Sequence, residues 1–155
     1  MTSIADTPTD LDRLGSPISL QLAGTYRRHV HAFLERIWEN VFDWEHLAHL
    51  HNERFRACRL IERGPWGWRV ELTPHGAVSQ TIELQANRAN NRYVSTTVEG
   101  AGEGTEIRVS LTPVAEHLVD VLVEFLVPET RPDRLAALGA AYTAAYARLW
   151  EEDEA

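Results

Sequence analysis

Residues 39–51, "ENVFDWEHLAHLH", crowd together groups that can do chemistry. Three of the seven histidines of the chain, His46, His49 and His51, fall here with Asp43 and Glu39. Imidazoles and carboxylates at short spacing are the usual ligands of a divalent metal, and also the usual general acids and bases. Successive helix residues are separated by about 100°, so His46 and His49 lie about 60° apart on a helix wheel. His46 and His51 lie about 140° apart, which suits one ion only if a π-bulge or a helix end intervenes. Asp43, three residues before His46, is placed to hydrogen-bond its imidazole and fix the tautomer. The same residues also suit an ordinary amphipathic helix, with Asp43 as an N-cap and Phe42 and Trp44 in the core. His29, His31, His75 and His117 show that histidine is used freely elsewhere.

The surrounding pattern says what must position this segment. "ISLQLA" (18–23) alternates apolar and polar residues as a strand does, and 25–34 reads as strand leading into the next element, which makes one or two strands. Residues 34–51 read as helix, with Ile37, Trp38, Val41, Phe42, Trp44, Leu47 and Leu50 at three- and four-residue spacing and a break near Asn40–Asp43. From Phe55 the period changes to two. Segments 55–62, 67–73, 77–85, 92–100, 105–113 and 117–128 read as consecutive strands separated by turn chemistry: "ERGPWG", "TPHG", "ANRANN" and "GAGEG". "GAGEG" is a hairpin turn and not a phosphate loop, because no helix follows it. Residues 132–155, opened by Pro132-Asp133, are Ala-rich and strongly helical. The small residues Ala136, Ala137, Gly139, Ala140, Ala141, Ala144 and Ala145 permit close approach to a sheet.

The expected architecture is α+β. A curved antiparallel sheet of about six or seven strands wraps a long C-terminal helix, with short helices after the first strand. A sheet gripping a helix leaves a cavity that suits a small hydrophobic or aromatic ligand. Residues 1–17 read as a flexible N-terminal segment and 18–155 as one domain.

With this order in hand, "ENVFDWEHLAHLH" resembles the mononuclear iron motif in the catalytic domain of Rieske-type non-haem iron oxygenases. That motif runs Glu-Asn, two residues, Asp, two residues, His, four residues, His. Glu39, Asn40, Asp43, His46 and His51 keep every spacing. The fold of that family is a START-like (SRPBCC) helix-grip, which the strand order suggests independently. The resemblance implies that His46 and His51 ligate a metal, with Asp43 and Asn40 supporting them from the second shell. His49 is left for the pocket or the surface; in the pocket it stands with Asp43 as a candidate catalytic group. The resemblance also implies a third, carboxylate ligand from the C-terminal helix, where "WEEDEA" offers Asp153. Four acidic residues at a helix C-terminus oppose the helix dipole, and a bound cation would reverse that penalty. Asp120, Glu124 and Asp133 are the alternatives. Two histidines and a carboxylate suit Fe(II) first and Zn second.

The chain departs from that family in one respect. Cys58 is its only cysteine, so it holds neither an iron–sulfur cluster nor a disulfide of its own. Oxygen chemistry would need an external reductase or ferredoxin. Non-oxidative lyase or hydrolase chemistry and metal-free carriage of a hydrophobic ligand remain as alternatives.

A net charge of −8, from 15 basic and 23 acidic residues, excludes a nucleic-acid footprint and disfavours anionic lipid surfaces. No apolar run is long enough to span a membrane, and the N-terminus lacks the apolar core of a signal peptide, so a cytoplasmic location is expected. A homo-oligomer is compatible with all of this. His117 and Asp120, three apart on an expected strand, read as structural. Trp66 and Trp68 read as core or as the lining of a cavity mouth, with core favoured.

Overall fold

The computed structural model describes residues 19–44, 55–74, 79–100 and 102–154. The elements are β1 (Leu20–Val30), α1 (Leu34–Phe42), β2 (Phe55–Gly64), β3 (Gly67–Pro74), β4 (Gln80–Asn87), a 3₁₀ turn (Arg88–Asn90), β5 (Arg92–Glu99), β6 (Glu106–Ala115), β7 (Leu118–Pro128) and α2 (Pro132–Glu154). The seven strands form one antiparallel sheet in the order β1-β7-β6-β5-β4-β3-β2. Strands two to seven are a meander of hairpins, and only β1 crosses over to pair with β7.

The structure fixes the bounds of the first elements. The stretches 18–23 and 25–34 are one strand, not two. Their apparent break is a bulge at Ala23, where the register steps from Leu22↔Leu126 to Gly24↔Phe125. That strand stops at Val30, and Phe33 then stacks on His117 at 4.1 Å between ring centroids. The helix starting at Leu34 ends at Phe42, and Asp43 is its C-cap, with its backbone N–H donating to the carbonyls of Glu39 and Asn40. Whether Asp43 also caps a following helix falls outside the described residues, as do positions 45–54 and 1–18.

The alternation along β7 sorts the two faces of the sheet. Val119, Val121, Val123, Phe125 and Val127 are buried, and the residues between them are half-buried. Phe125 stacks against Tyr142 at 5.4 Å and meets Tyr146 edge-on at 5.2 Å, so the buried set faces α2. One row of this inner face runs across the register from Tyr26 through Val123, Val109 and Tyr93 to Ala86. Two apolar clusters fill the face. One lies beneath α2 and includes Trp38, Phe125 and Trp150; the other holds Trp68, Val70, Leu72 and Leu84. Val41, Ala86 and Tyr93 pack against both.

The outer face is polar and cross-paired. Arg27 and His29 reach Asp120, Arg69 pairs with Glu83, and Arg108 pairs with Glu106. Hydrogen bonding and attraction from Glu83 raise the pKa of Arg69 further above its ordinary range.

Of the small residues of α2, Gly139 meets the bulge in β1, whereas Ala136, Ala137, Ala140, Ala141 and Ala144 are exposed and do not line the sheet. Gly139 lies against the bulge so closely that a Cβ there would sit 2.0 Å from the Ala23 carbonyl oxygen. No described helix is long and apolar enough to cross a membrane.

Candidate functional site

At one end of the sheet the β2–β3 turn meets the β4–β5 turn and α1. Between them is an open cavity of about 540 Å³ lined by Trp66, Gln85, Ala86, Asn87 and Arg88. That volume is in the range of small-molecule sites. Its floor, Ala86, is the last residue of the inner-face row, and the Ala86 N–H donates to the Trp66 carbonyl at 2.7 Å. The cavity thus opens onto the residue that joins the two apolar clusters.

Local sequence explains the walls. Gly67 has φ 139°, and a Cβ there would lie 1.8 Å from the Leu84 carbonyl, so only glycine lets this turn approach β4. The Trp66 indole folds back over Gly64, where a Cβ would meet its Nε1 at 2.7 Å. In the opposite turn the Asn87 side-chain oxygen accepts the Asn90 N–H, and Asn91 takes the left-handed conformation that asparagine tolerates. Trp38 Nε1 donates to Asn91 Oδ1 at 3.4 Å, which ties the turn to α1.

Arg88 is held from three sides. Its guanidinium lies 5.3 Å from the ring of Trp38 and 5.8 Å from that of Phe42, and its Nη2 donates to Glu35 Oε1 at 2.6 Å. Glu35, Trp38 and Phe42 are spaced i, i+3, i+7, one face of α1. Sequence reasoning missed this grouping. Arg88 sat inside "ANRANN", legible only as a turn, and its partners lie some fifty positions earlier.

Only part of the set singled out from the sequence falls among the described residues. His46, His49 and His51 lie outside the described residues. Asp43 is exposed at the end of α1, and Asn40 is half-buried one residue inside the last turn. Asp153 is part of α2, which continues as helix to Glu154; its side chain is outside the description. Asp120 and Glu124 face away from α2, opposite His29 and Thr25 of β1, and so cannot join a site on the inner face. Asp133 is exposed near Arg131. Among the described residues no three His, Cys, Asp or Glu side chains converge. His117 lies in the β6–β7 turn and not on a strand, stacked on Phe33, while Asp120 binds Arg27; both are structural. The two tryptophans divide: Trp66 lines the cavity, and Trp68 is core, donating from Nε1 to the Val41 carbonyl at 2.7 Å.

A seven-stranded antiparallel sheet that wraps a long C-terminal helix, with helical structure inserted after the first strand, is the START-like helix-grip fold. Solved structures share it. An aromatase/cyclase from a Streptomyces species matches with TM-score 0.66 at 12% identity, over 88% of this chain and 91% of that one. A truncated norcoclaurine synthase from Thalictrum flavum matches with TM-score 0.65 at 14% identity, over 90% and 94%. A START superfamily protein from Mycobacterium smegmatis matches with TM-score 0.61 at 19% identity, over 86% and 94%. In sequence, no family model and no curated protein matches the chain.

Proposed function

We propose that this protein binds a small, largely hydrophobic molecule in its helix-grip, through the cavity at the Trp66 and Arg88 turns. The observation that carries this reading is the position of Ala86, the floor of a 540 Å³ cavity and a packing partner of both inner-face clusters. A ligand entering there meets the Trp66 ring and Ala86 beside the polar side chains of Gln85, Asn87 and Arg88. Neighbours of the same fold whose names denote aromatase/cyclase and norcoclaurine synthase activity support it by analogy. Titration with the neutral fluorophore 1-aminoanthracene should give saturable binding of one equivalent. Ala86→Phe, which raises the floor, should weaken it at least tenfold while thermal unfolding stays cooperative. Binding that does not saturate, or that ignores Ala86→Phe, would refute the proposal.

A second reading rests on the spacing of Glu39, Asn40, Asp43, His46 and His51. In it the domain is a mononuclear metal enzyme, with His46, His51 and Asp153 holding Fe(II) or Zn and Asp43 and His49 beside them. Such an ion would supply Lewis-acid chemistry or, with electrons from a separate reductase or ferredoxin, oxygen chemistry. Elemental analysis decides it: about one equivalent of metal, lost in both His46→Ala and His51→Ala, is required. Metal-free protein from metal-replete cells would leave the binding reading alone.

A further inference from the structure

We propose that the cavity selects its ligand by charge, and that the preferred class is a planar aromatic acid whose carboxylate is received by Arg88. The inference rests on the binding reading above and adds a specificity to it.

The polar groups of the cavity are mostly donors. Arg88 uses Nη2 for both Glu35 oxygens, at 2.6 and 3.2 Å. Its Nε and Nη1 have no acceptor among the described residues, although a guanidinium carries five N–H donors. The Asn87 oxygen is occupied by the Asn90 N–H, which leaves its amide nitrogen to donate. Gln85 is the exception: its Nε2 donates to Glu83 at 2.5 Å, leaving its oxygen as the one side-chain acceptor of the wall. Opposite these groups stands the indole of Trp66, a flat apolar surface against which a ring can stack. Trp38, Phe42 and Glu35 hold the guanidinium before any ligand arrives, so little side-chain entropy is lost on capture. A charge-assisted N–H donor matches a carboxylate better than a neutral hydroxyl, and because both two-donor edges of a guanidinium include Nη2, a carboxylate that takes Nε or Nη1 meets Glu35 at the same group.

Glu35 gives the inference its sharpest consequence. It competes with the ligand for the same guanidinium, so removing its charge should strengthen anion binding. A purely structural Arg88–Glu35 pair predicts the opposite, because losing either partner would loosen the turn.

The test compares 2-naphthoate with 2-naphthalenemethanol, which share a ring system and differ in charge. Wild-type protein should prefer the carboxylate about tenfold, as one charge-assisted contact at a half-exposed site supplies. Arg88→Gln should remove the preference by weakening naphthoate more than the alcohol; Arg88→Lys should keep part of it. Glu35→Gln should tighten naphthoate binding about threefold or more, and added salt should weaken only the naphthoate. Trp66→Leu should weaken both ligands. Equal affinities in wild type, or a preference that survives Arg88→Gln, would overturn the inference while leaving the binding proposal intact. Weaker naphthoate binding in Glu35→Gln would also overturn it. Binding of neither compound at millimolar concentration would overturn the inference and the binding proposal together.

Discussion

Replacing Gly139 by alanine should destabilise this protein, although the same change in an unobstructed helix would stabilise it. Alanine is favoured over glycine inside a helix by about 1 kcal/mol. Here the added Cβ would lie 2.0 Å from the Ala23 carbonyl oxygen, 2.9 Å from the Ala23 carbonyl carbon and 3.6 Å from the Gly24 nitrogen. All three are backbone atoms of a strand hydrogen-bonded to β7, so no rotamer change relieves the contact. Restoring van der Waals distance needs a shift of about 1 Å of α2 from the sheet, and a gap of that size forfeits up to half of each dispersion contact across it. The contacts at stake include Tyr142 and Tyr146 on Phe125. Overpacking costs about 1–3 kcal/mol, and contacts that only backbone can relieve belong in the upper part of that range, about 2–3 kcal/mol. Set against the propensity gain, the net loss should be about 1–2 kcal/mol, which is about 2–8 °C in Tm for a domain of this size. Urea and thermal denaturation measure it, with exposed Ala140→Gly as the control for propensity alone. An unchanged or higher Tm for Gly139→Ala would refute the close approach of α2 to the β1 bulge.

Other changes should have distinct outcomes. Trp68→Phe removes the hydrogen bond to the Val41 carbonyl and leaves a gap, and chemical denaturation should show a loss of about 1–3 kcal/mol. Arg108→Met should cost about 2–3 kcal/mol, discounted for the partial exposure of Arg108, because it leaves the Glu106 carboxylate buried with no cation. Glu106 Oε2 already lacks a hydrogen-bond partner, so the double variant Glu106→Leu/Arg108→Met should recover most of that loss; failure to recover would mean that Arg108 stabilises by packing alone. Gly67→Ala should prevent the β2–β3 turn from closing on β4 and abolish 1-aminoanthracene binding in whatever folded protein remains; intact binding would remove the turn from the site.

The overall order of strands and helices was legible because it rests on periods. The two-residue alternation from Phe55 onward, the Gly- and Asn-rich turns and the Ala-rich C-terminal helix each report local preferences. The same reading left residues 18–34 as one or two strands, because a bulge looks like a break when only pattern is visible; Ala23 is an extra residue within one strand. It placed a break near Asn40–Asp43, and the helix from Leu34 does end at Phe42 with Asp43 as its C-cap.

The candidate site was much less legible. Sequence alone determined the fold class, the single cysteine and the close spacing of Glu39, Asn40, Asp43, His46 and His51. Those features follow from composition and from residues close together along the chain. Tertiary structure decided that Asp120 and Glu124 turn away from the helix-grip, that Trp66 lines a cavity while Trp68 is core, and that Arg88 is seated on Trp38 and Phe42. The physical reason is that a strand's register selects which face a side chain takes, and register is set by pairing with distant strands. Arg88 and Glu35 are 53 positions apart and meet only because the turn after β4 lies against the first turn of α1.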